Sequence, residues 1–233
     1  MLPEPADAMA TYAELRARLT DLLGDVSDER AAEIVVPACP EWTVTDTVAH
    51  LNGVCVDILG GNLAEAGTKA WADEHVSRSA DVGLTGLLEQ WGTVAPSVIE
   101  IGPAFPPQAA AQFVFDATTH EHDIRGALDL PGGRDAGSVL VGLAFLEATL
   151  DQYVRELELP TVKLTTPVWS TVAGDGEPQV EVEASAFELL RSFGGRRSAD
   201  QVRSLAWTGD PTPYLGLLDG DRAIAMRTDA LVE

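Results

Sequence analysis

Residues 43–59 read TVTDTVAHLNGVCVDIL, and this stretch sets the first well-defined element of the fold. Its apolar residues recur every three or four positions, which is the spacing of a helix that buries one face. Thr43 followed by Asp46 resembles a capping box, so we predict a helix that begins directly after the threonine and ends near Leu59. Trp42 is predicted to pack as a hydrophobic staple before the cap, and no functional role is assigned to it.

The same helical spacing occurs in four further segments. In the most regular one, Val139, Leu143, Leu146 and Leu150 alternate steps of four and three residues. Such spacing is typical of helices that pack against one another in a bundle. The four segments predicted as helices cover residues 9–23, 84–98, 106–130 and 139–157.

The sequence pattern changes near Pro160. Residues 161–172 are rich in threonine and valine, a Gly-Asp-Gly turn follows, and residues 180–184 alternate apolar and acidic side chains. We predict that these two segments pair as a hairpin. A short helix and one more strand are predicted after them, at residues 186–193 and 205–207. The expected organisation is a helical domain over residues 1–159 and a small α+β domain over residues 160–233.

Composition excludes several classes of function. Fifteen basic and 37 acidic side chains among 233 residues give 15 − 37 = −22, a charge that repels nucleic acids and anionic membranes. No apolar run is long enough to span a bilayer, and the N-terminus lacks the features of a signal peptide, so we expect a cytoplasmic protein, either a monomer or a homodimer. The two cysteines, Cys39 and Cys55, are expected to be thiols, with Cys55 packed in a helix.

The segment DATTHEHD, residues 116–123, carries the clearest chemical signal. Asp116 and His120 are four residues apart, so a helix presents both on one face as a pair of metal ligands. Asp123 lies one turn further on and could accept the second ring proton of His120. His50, on another predicted helix, could supply a third ligand. Three such ligands around zinc leave one position open for catalysis.

Spacing alone leaves a second interpretation open for each of these residues. Acidic residues four positions from a histidine are frequent by chance in a chain with 37 carboxylates, and His50 could be an ordinary buried histidine. His122 points away from the Asp116–His120 face, so a solvated side chain is expected for it, and the same is expected for His75.

Three segments resemble the mycothiol-dependent maleylpyruvate isomerase family, which belongs to the DinB-like metalloenzymes. They are CPEWTVTDTVAHL at residues 39–51, TTHEHDIR at residues 118–125, and AFELLRSFGGRRS at residues 186–198 followed by LAWTGDP. The resemblance implies a DinB-like bundle of four or five helices and a small, sterol-carrier-like α+β C-terminal domain. It also implies a divalent metal, zinc first, on His50, Asp116 and His120. The family typically has glutamate where this chain has Asp116, which is one methylene shorter.

The resemblance further implies an enzyme that activates mycothiol, a small bacterial thiol, at the metal. As an isomerase it would add the thiolate to the cis double bond of an unsaturated keto-acid, allow rotation and eliminate the trans product. As an S-transferase it would join the thiol to an electrophile. Arg125, Arg196 and Arg197 are candidate partners for the substrate carboxylate, and Arg196 and Arg197 are favoured because we expect the second domain to close over the bundle. Surface charges are an equal alternative for those two arginines.

Two other functions remain open from the sequence. One is a non-catalytic protein that binds a small ligand on the same scaffold, with the metal site weakened by Asp116. The other is a DinB-like hydrolase that uses metal-bound water and no thiol.

Overall fold

The computed structural model describes residues 1–215 and 227–233. Its contacts divide the chain into two compact units. One comprises Glu4–Gly133 together with Glu233, and the other comprises Met1–Pro3 and Arg134–Val232. Among the described residues, every helix is too short or too polar to cross a membrane.

The first unit is helical with one short hairpin. Four long helices form a bundle, and each buries an apolar stripe. The elements in chain order are α1 (Pro5–Leu23), α2 (Asp28–Glu33), β1 (Val35–Val36), β2 (Cys39–Thr43), α3 (Val44–Gly60), α4 (Lys69–Arg78), α5 (Leu84–Ile101) and α6 (Pro107–Leu128).

The four long helices pack in a closed ring. Helix α3 lies against α5 and α6, and α1 lies against the other sides of α5 and α6. In the core, the indole N–H of Trp91 donates to the Tyr12 hydroxyl at 2.9 Å, and that hydroxyl lies 3.2 Å from the sulfur of Cys55. The neighbouring positions of α3 and α6 bring together residues that are about 66 positions apart in the chain, such as His50 and Asp116.

The beginning and end of α3 follow from its sequence. The Thr43 hydroxyl accepts from the Asp46 N–H, and the Asp46 carboxylate accepts from the Thr43 N–H, so the predicted capping box is confirmed. The helix ends at Gly60, and the C-cap residue Gly61 has a φ of 72°, the left-handed conformation that favours glycine. The cap therefore fixes where α3 begins, and with it the position of His50 two turns later.

Helix α2, the β1–β2 hairpin and helix α4 were not predicted. The proline-rich residues 37–40 contribute to a hairpin of β1 and β2, and residues 69–78 form α4 in a segment that is too polar and short to show clear periodicity. Thr68 caps α4 by accepting a hydrogen bond from the Trp71 N–H. Helix α4 packs on α3.

The second unit is a mixed sheet with helices. Its elements are α7 (Gly137–Glu156), β3 (Val162–Thr166), β4 (Trp169–Ala173), β5 (Val180–Glu183), α8 (Ala186–Phe193), α9 (Ala199–Arg203) and β6 (Ala206–Thr208). The strand order is β4-β3-β5-β6, with β3 and β5 parallel and the outer pairs antiparallel. The predicted architecture, a helical bundle followed by a small α+β part, is confirmed.

The predicted pairing of residues 161–172 with residues 180–184 as a hairpin is wrong. The hairpin partner of β3 is β4, joined through a two-residue turn at Pro167 and Val168, and β5 lies parallel to β3 on its other side. In the turn, the Thr166 hydroxyl donates to the Trp169 carbonyl at 3.0 Å. The hairpin turn was predicted at the Gly-Asp-Gly sequence of residues 174–176, but the turn between β3 and β4 contains no glycine.

Helix α7 packs on α8 and β4 within the second unit. The contacts therefore change over between Gly133 and Arg134. A helix carries the same apolar spacing whether it packs on helices or on a sheet, so periodicity could not assign α7 to either unit. As limits of independently folding domains, 1–159 and 160–233 stay predictions.

Candidate metal centre

Helices α3 and α6 bring three side chains together. The Nε2 atom of His50 lies 3.4 Å from both carboxylate oxygens of Asp116, and the Nε2 atom of His120 lies 3.7 Å from the Asp116 Oδ1. One ligand atom from each of the three residues lies within 4.8 Å of the other two. Both histidines are buried, whereas 33% of the Asp116 side chain is exposed, so solvent reaches the cluster on the carboxylate side.

The separations between Asp116 and each of the two histidines are close to those around a small divalent cation. Ligand atoms about 2.0–2.1 Å from a tetrahedral zinc are separated by roughly 3.3–3.4 Å. The His50–Asp116 separation of 3.4 Å matches that value, and the His120–Asp116 separation of 3.7 Å needs only a small adjustment. Two imidazoles and one carboxylate are also a ligand set that zinc accepts in catalytic sites.

Asp123 lies behind His120 on the same helix. The Nδ1 atom of His120 is 3.1 Å from the Oδ2 of Asp123, whose side chain is completely buried. The oxygen lies off the direction of the ring N–H, so the contact is a close polar contact and not a well-aligned hydrogen bond. A carboxylate at this position favours the proton on Nδ1 and leaves Nε2 to face Asp116.

A second polar chain lies behind His50. The Nδ1 atoms of His50 and His75 are 3.1 Å apart, and the Nε2 of His75 is 3.0 Å from the Oδ2 of Asp57. Arg78 donates to the other oxygen of Asp57 at 2.8 Å, and the Asn62 amide donates to Oδ2 at 3.1 Å. Both histidines and the aspartate are buried.

The groups around Asp57 favour its ionised form. Burial by itself raises the pKa of Asp57, but the hydrogen bonds from Arg78 and His75 outweigh it and hold that pKa below its ordinary value. Burial lowers the pKa of His75, more than the Asp57 carboxylate raises it. At neutral pH His75 is therefore a neutral imidazole beside an ionised carboxylate.

The predictions of solvated side chains for His75 and His122 are wrong. The structure buries both, His75 completely and His122 with 3% of its surface exposed. Helix α6 is buried around most of its circumference near His122, and α4 carries His75 onto α3. His75, Asp57 and Trp71 were missed by sequence reasoning. A usable signal was present, because Asp57 lies seven residues after His50 and so on the same face of α3.

Two tryptophans flank the imidazoles. The ring centre of Trp42 lies 5.1 Å from that of His50 and 5.7 Å from that of His120. Trp71 packs edge-on against His75 at 4.3 Å and against His50 at 6.3 Å. These indoles restrict water around the histidines and strengthen electrostatic interactions there.

A second set of possible ligands shares His120. One ligand atom each from Cys39, His120 and Asp123 also lies within 4.8 Å of the others, and the Cys39 sulfur is 3.6 Å from the Asp123 Oδ2. The Asp123 carboxylate is completely buried, whereas Asp116 is one-third exposed. A substrate needs an accessible coordination position, so the His50–Asp116–His120 set is the better candidate for a catalytic site.

The three arginines proposed for a substrate carboxylate all have partners in the described structure. Arg125 donates to the Glu121 carboxylate at 2.9 Å and to the Leu130 carbonyl at 3.3 Å. Arg197 binds Glu188 through two nitrogens at 3.1 and 2.9 Å, and Arg196 lies 3.5 Å from the Gly194 carbonyl. Neither of these Arg125 bonds reaches His50, Asp116 or His120.

The helical bundle and its two-histidine, one-carboxylate cluster define a DinB-like protein with a candidate metal centre. Residues 12–128, half of the chain, match the profile of the mycothiol maleylpyruvate isomerase N-terminal domain. The chain therefore belongs to this family.

Two solved structures are similar to most of the chain. A histidine-to-alanine mutant of the mycothiol-dependent maleylpyruvate isomerase aligns with 13% identity and a TM-score of 0.58, over 87% of this chain and 92% of that one. A second structure of a mycothiol-dependent maleylpyruvate isomerase aligns with 14% identity and a TM-score of 0.53, over 82% and 88% of the two chains. At these identities the likeness shows the fold. Comparison with curated protein sequences gives no match.

Proposed function

We propose that this chain is a metal-dependent enzyme that uses mycothiol, acting as a maleylpyruvate isomerase-like cis-trans isomerase or as an S-transferase. The observation that carries the proposal is the convergence of His50, Asp116 and His120 from α3 and α6. The family of the chain and its two structural neighbours, both mycothiol-dependent maleylpyruvate isomerases, suggest the thiol and the reaction class.

A divalent ion held by these three residues would favour the thiolate form of a thiol bound at the open position. The two imidazoles present Nε2 atoms to that position, and the Asp116 carboxylate supplies a negative charge that offsets the cation. The shorter side chain of aspartate suits this backbone, since its oxygens already lie within 3.4–3.7 Å of both imidazoles.

For an isomerase, the thiolate adds to the double bond of the keto-acid, the resulting single bond rotates, and elimination returns the thiolate with the trans product. For a transferase, the thiolate forms a bond to an electrophilic carbon, the bond from that carbon to its leaving group breaks, the leaving group departs with the electron pair, and the sulfur stays in the product. Trp42 and Trp71 would border the bound substrate and limit its access to water.

For each of the three arginines, binding of the substrate carboxylate stays a proposal. Arg125 is engaged by Glu121, which favours a structural role for it over substrate binding. Arg196 and Arg197 remain candidates that a substitution series can test, because lysine keeps the charge and loses bidentate binding. A rise in KM for Arg196→Lys or Arg197→Lys, without a loss of thermal stability, would assign the role.

The proposal is tested by metal analysis and a thiol assay on the full chain. We expect about one equivalent of zinc per chain after incubation with zinc and dialysis, and no retained zinc in the His50→Ala, Asp116→Ala and His120→Ala variants. His122→Gln is the matched control, because it changes a buried histidine on the same helix outside the cluster. The loaded wild-type protein is then expected to consume mycothiol with an electrophile, or to isomerise a cis keto-acid in its presence.

Two results would reject this function. Wild-type protein that retains no zinc would favour a non-catalytic protein that binds a small ligand. Hydrolysis that proceeds at the same rate without mycothiol would favour a hydrolase that uses water at the metal.

A further inference from the structure

The contacts behind His50 determine where its ring proton lies. Two ring nitrogens 3.1 Å apart can form a hydrogen bond only if one carries a proton and the other a lone pair. The Nε2 atom of His75 lies 3.0 Å from the Asp57 Oδ2, and an ionised carboxylate only accepts, so this nitrogen carries the proton.

The neutral form of His75 follows from the surrounding charges. The charge of Asp57 is already matched by Arg78 at 2.8 Å, so a second proton on the completely buried His75 would add an unmatched positive charge. Neutral His75 with its proton on Nε2 has a lone pair on Nδ1. His50 must then donate its Nδ1 proton to His75 and keep a lone pair on Nε2, the atom that faces Asp116.

A close approach between helices allows this arrangement. His75 reaches α3 where Gly53 has no side chain, and a Cβ built on Gly53 would overlap the Cβ, Cγ and Cδ2 atoms of His75. Gly53 lies one turn after His50 on α3. The position of the His75 ring is thus set by a packing feature that is independent of the polar contacts.

We propose that His75, oriented by Asp57 and seated over Gly53, is a positioning residue that fixes His50 in the tautomer with a lone pair on Nε2 and so prepares it as a ligand. The inference rests on the proposed metal-binding function. The tautomer of His50 can be measured in metal-free protein, so this part of the inference can be tested separately from metal binding.

The test compares two substitutions at His75. In His75→Gln, one amide can accept from His50 and donate to Asp57, whereas His75→Leu has a similar volume and neither group. Asp73→Asn, on the exposed side of the same helix, controls for changes in α4. Each full-length variant is titrated with zinc against a chromophoric chelator, and the His50 tautomer is read by nitrogen-15 NMR in metal-free protein at about pH 8, above the ordinary histidine pKa.

In metal-free wild-type protein we expect the His50 proton on Nδ1. His75→Leu should lose this preference and bind zinc about 10- to 100-fold more weakly, the usual effect of removing an outer partner of a ligand. His75→Gln should keep the tautomer and bind zinc within a few-fold of wild type, and Asp73→Asn should not differ. Rescue by glutamine separates positioning from packing.

Two results would overturn the inference: a His50 proton on Nε2 in wild-type protein, or equal zinc affinity and tautomer in wild type and His75→Leu. If wild-type protein binds no zinc but has the expected tautomer, the metal function fails while the positioning of His50 stands. Should His75→Leu not fold, Asp57→Asn removes the charge that orients His75. We then expect a smaller loss of zinc affinity and a weaker tautomer preference, and unchanged values for both would count against the inference.

Discussion

The imidazole of His75 fills the space that a side chain on Gly53 would occupy. This contact joins α4 to α3 one turn after His50, and it places the Nδ1 atoms of the two histidines 3.1 Å apart. A glycine in the middle of a helix is ordinarily unfavourable by roughly 0.5–1 kcal/mol relative to alanine. Here its cost is offset by the close approach of a buried polar side chain.

Helix propensity alone would make alanine more stabilising than glycine at position 53, but we expect the opposite here. We expect Gly53→Ala to lower the free energy of unfolding by about 1–3 kcal/mol, since its methyl group overpacks against His75, and to weaken zinc binding by displacing that ring. Gly60→Ala is the matched control on the same helix, because nothing lies within 4 Å of its added Cβ. Chemical denaturation and zinc titration measure both effects, and equal stability of the two variants would contradict the packing argument.

The length of the Asp116 side chain gives a second prediction. Its oxygens already lie 3.4–3.7 Å from the two Nε2 atoms, so the extra methylene of Asp116→Glu should misplace the carboxylate and weaken zinc binding. Asp116→Asn keeps the shape and removes the charge, and we expect a loss of about tenfold or more, since a direct ligand should matter at least as much as an outer partner. Asp81→Glu, at an exposed position, is the control. Tighter binding by Asp116→Glu than by wild type would contradict the argument from side-chain length.

Glu121 gives a prediction about acid stability. This buried carboxylate accepts from Arg18 at 2.6 and 2.9 Å and from Arg125 at 2.9 Å. Burial alone would raise the pKa of Glu121, but the two guanidinium groups outweigh it and lower that pKa below its ordinary value. As pH falls, the unfolded chain binds the proton first. The stabilisation is therefore complete above about pH 5 and is lost as pH drops through the folded-state pKa.

Glu121→Gln should reduce the free energy of unfolding at pH 7 by about 3 kcal/mol and flatten its dependence on pH below about pH 5. Glu100→Gln on α5 changes an exposed glutamate and is expected to affect neither quantity. Urea denaturation at a series of pH values measures both. A wild-type slope that persists in Glu121→Gln would assign the acid sensitivity to other carboxylates.

The two thiols should differ in reactivity. Burial raises the pKa of the Cys55 thiol to about 11, and its sulfur contacts the Tyr12 hydroxyl in the core. Cys39 is half-buried on β2. We expect a chromogenic disulfide reagent to modify one thiol per native chain and both in denaturant, with Cys39→Ser removing the native signal. Rapid modification of two thiols in the native protein would show that the core around Cys55 opens. The result also sets the background for any mycothiol-consumption assay.

Features carried by neighbouring residues could be predicted from the sequence. The Thr43–Asp46 capping box and the apolar spacing of the long helices lie within one or two turns, so local pattern specifies them. The four-residue spacing of Asp116 and His120 fixes them on one face of α6 for the same reason. His50 was offered as a third ligand on another predicted helix, the family resemblance implied the same residue, and its Nε2 atom lies 3.4 Å from the Asp116 carboxylate.

Tertiary structure alone decided the contacts between residues that are distant in sequence. Packing of α4 on α3 buried His75, which looks like an ordinary polar residue in its own segment. The sheet placed β4, and not β5, as the hairpin partner of β3, although both neighbours have similar strand propensity. Packing of α1 on α6 added Arg18, 103 positions away in the chain, to the Glu121 carboxylate that Arg125 also binds. In each case the outcome depended on which side chains or strands shared a buried space, and local sequence pattern carries no information about that.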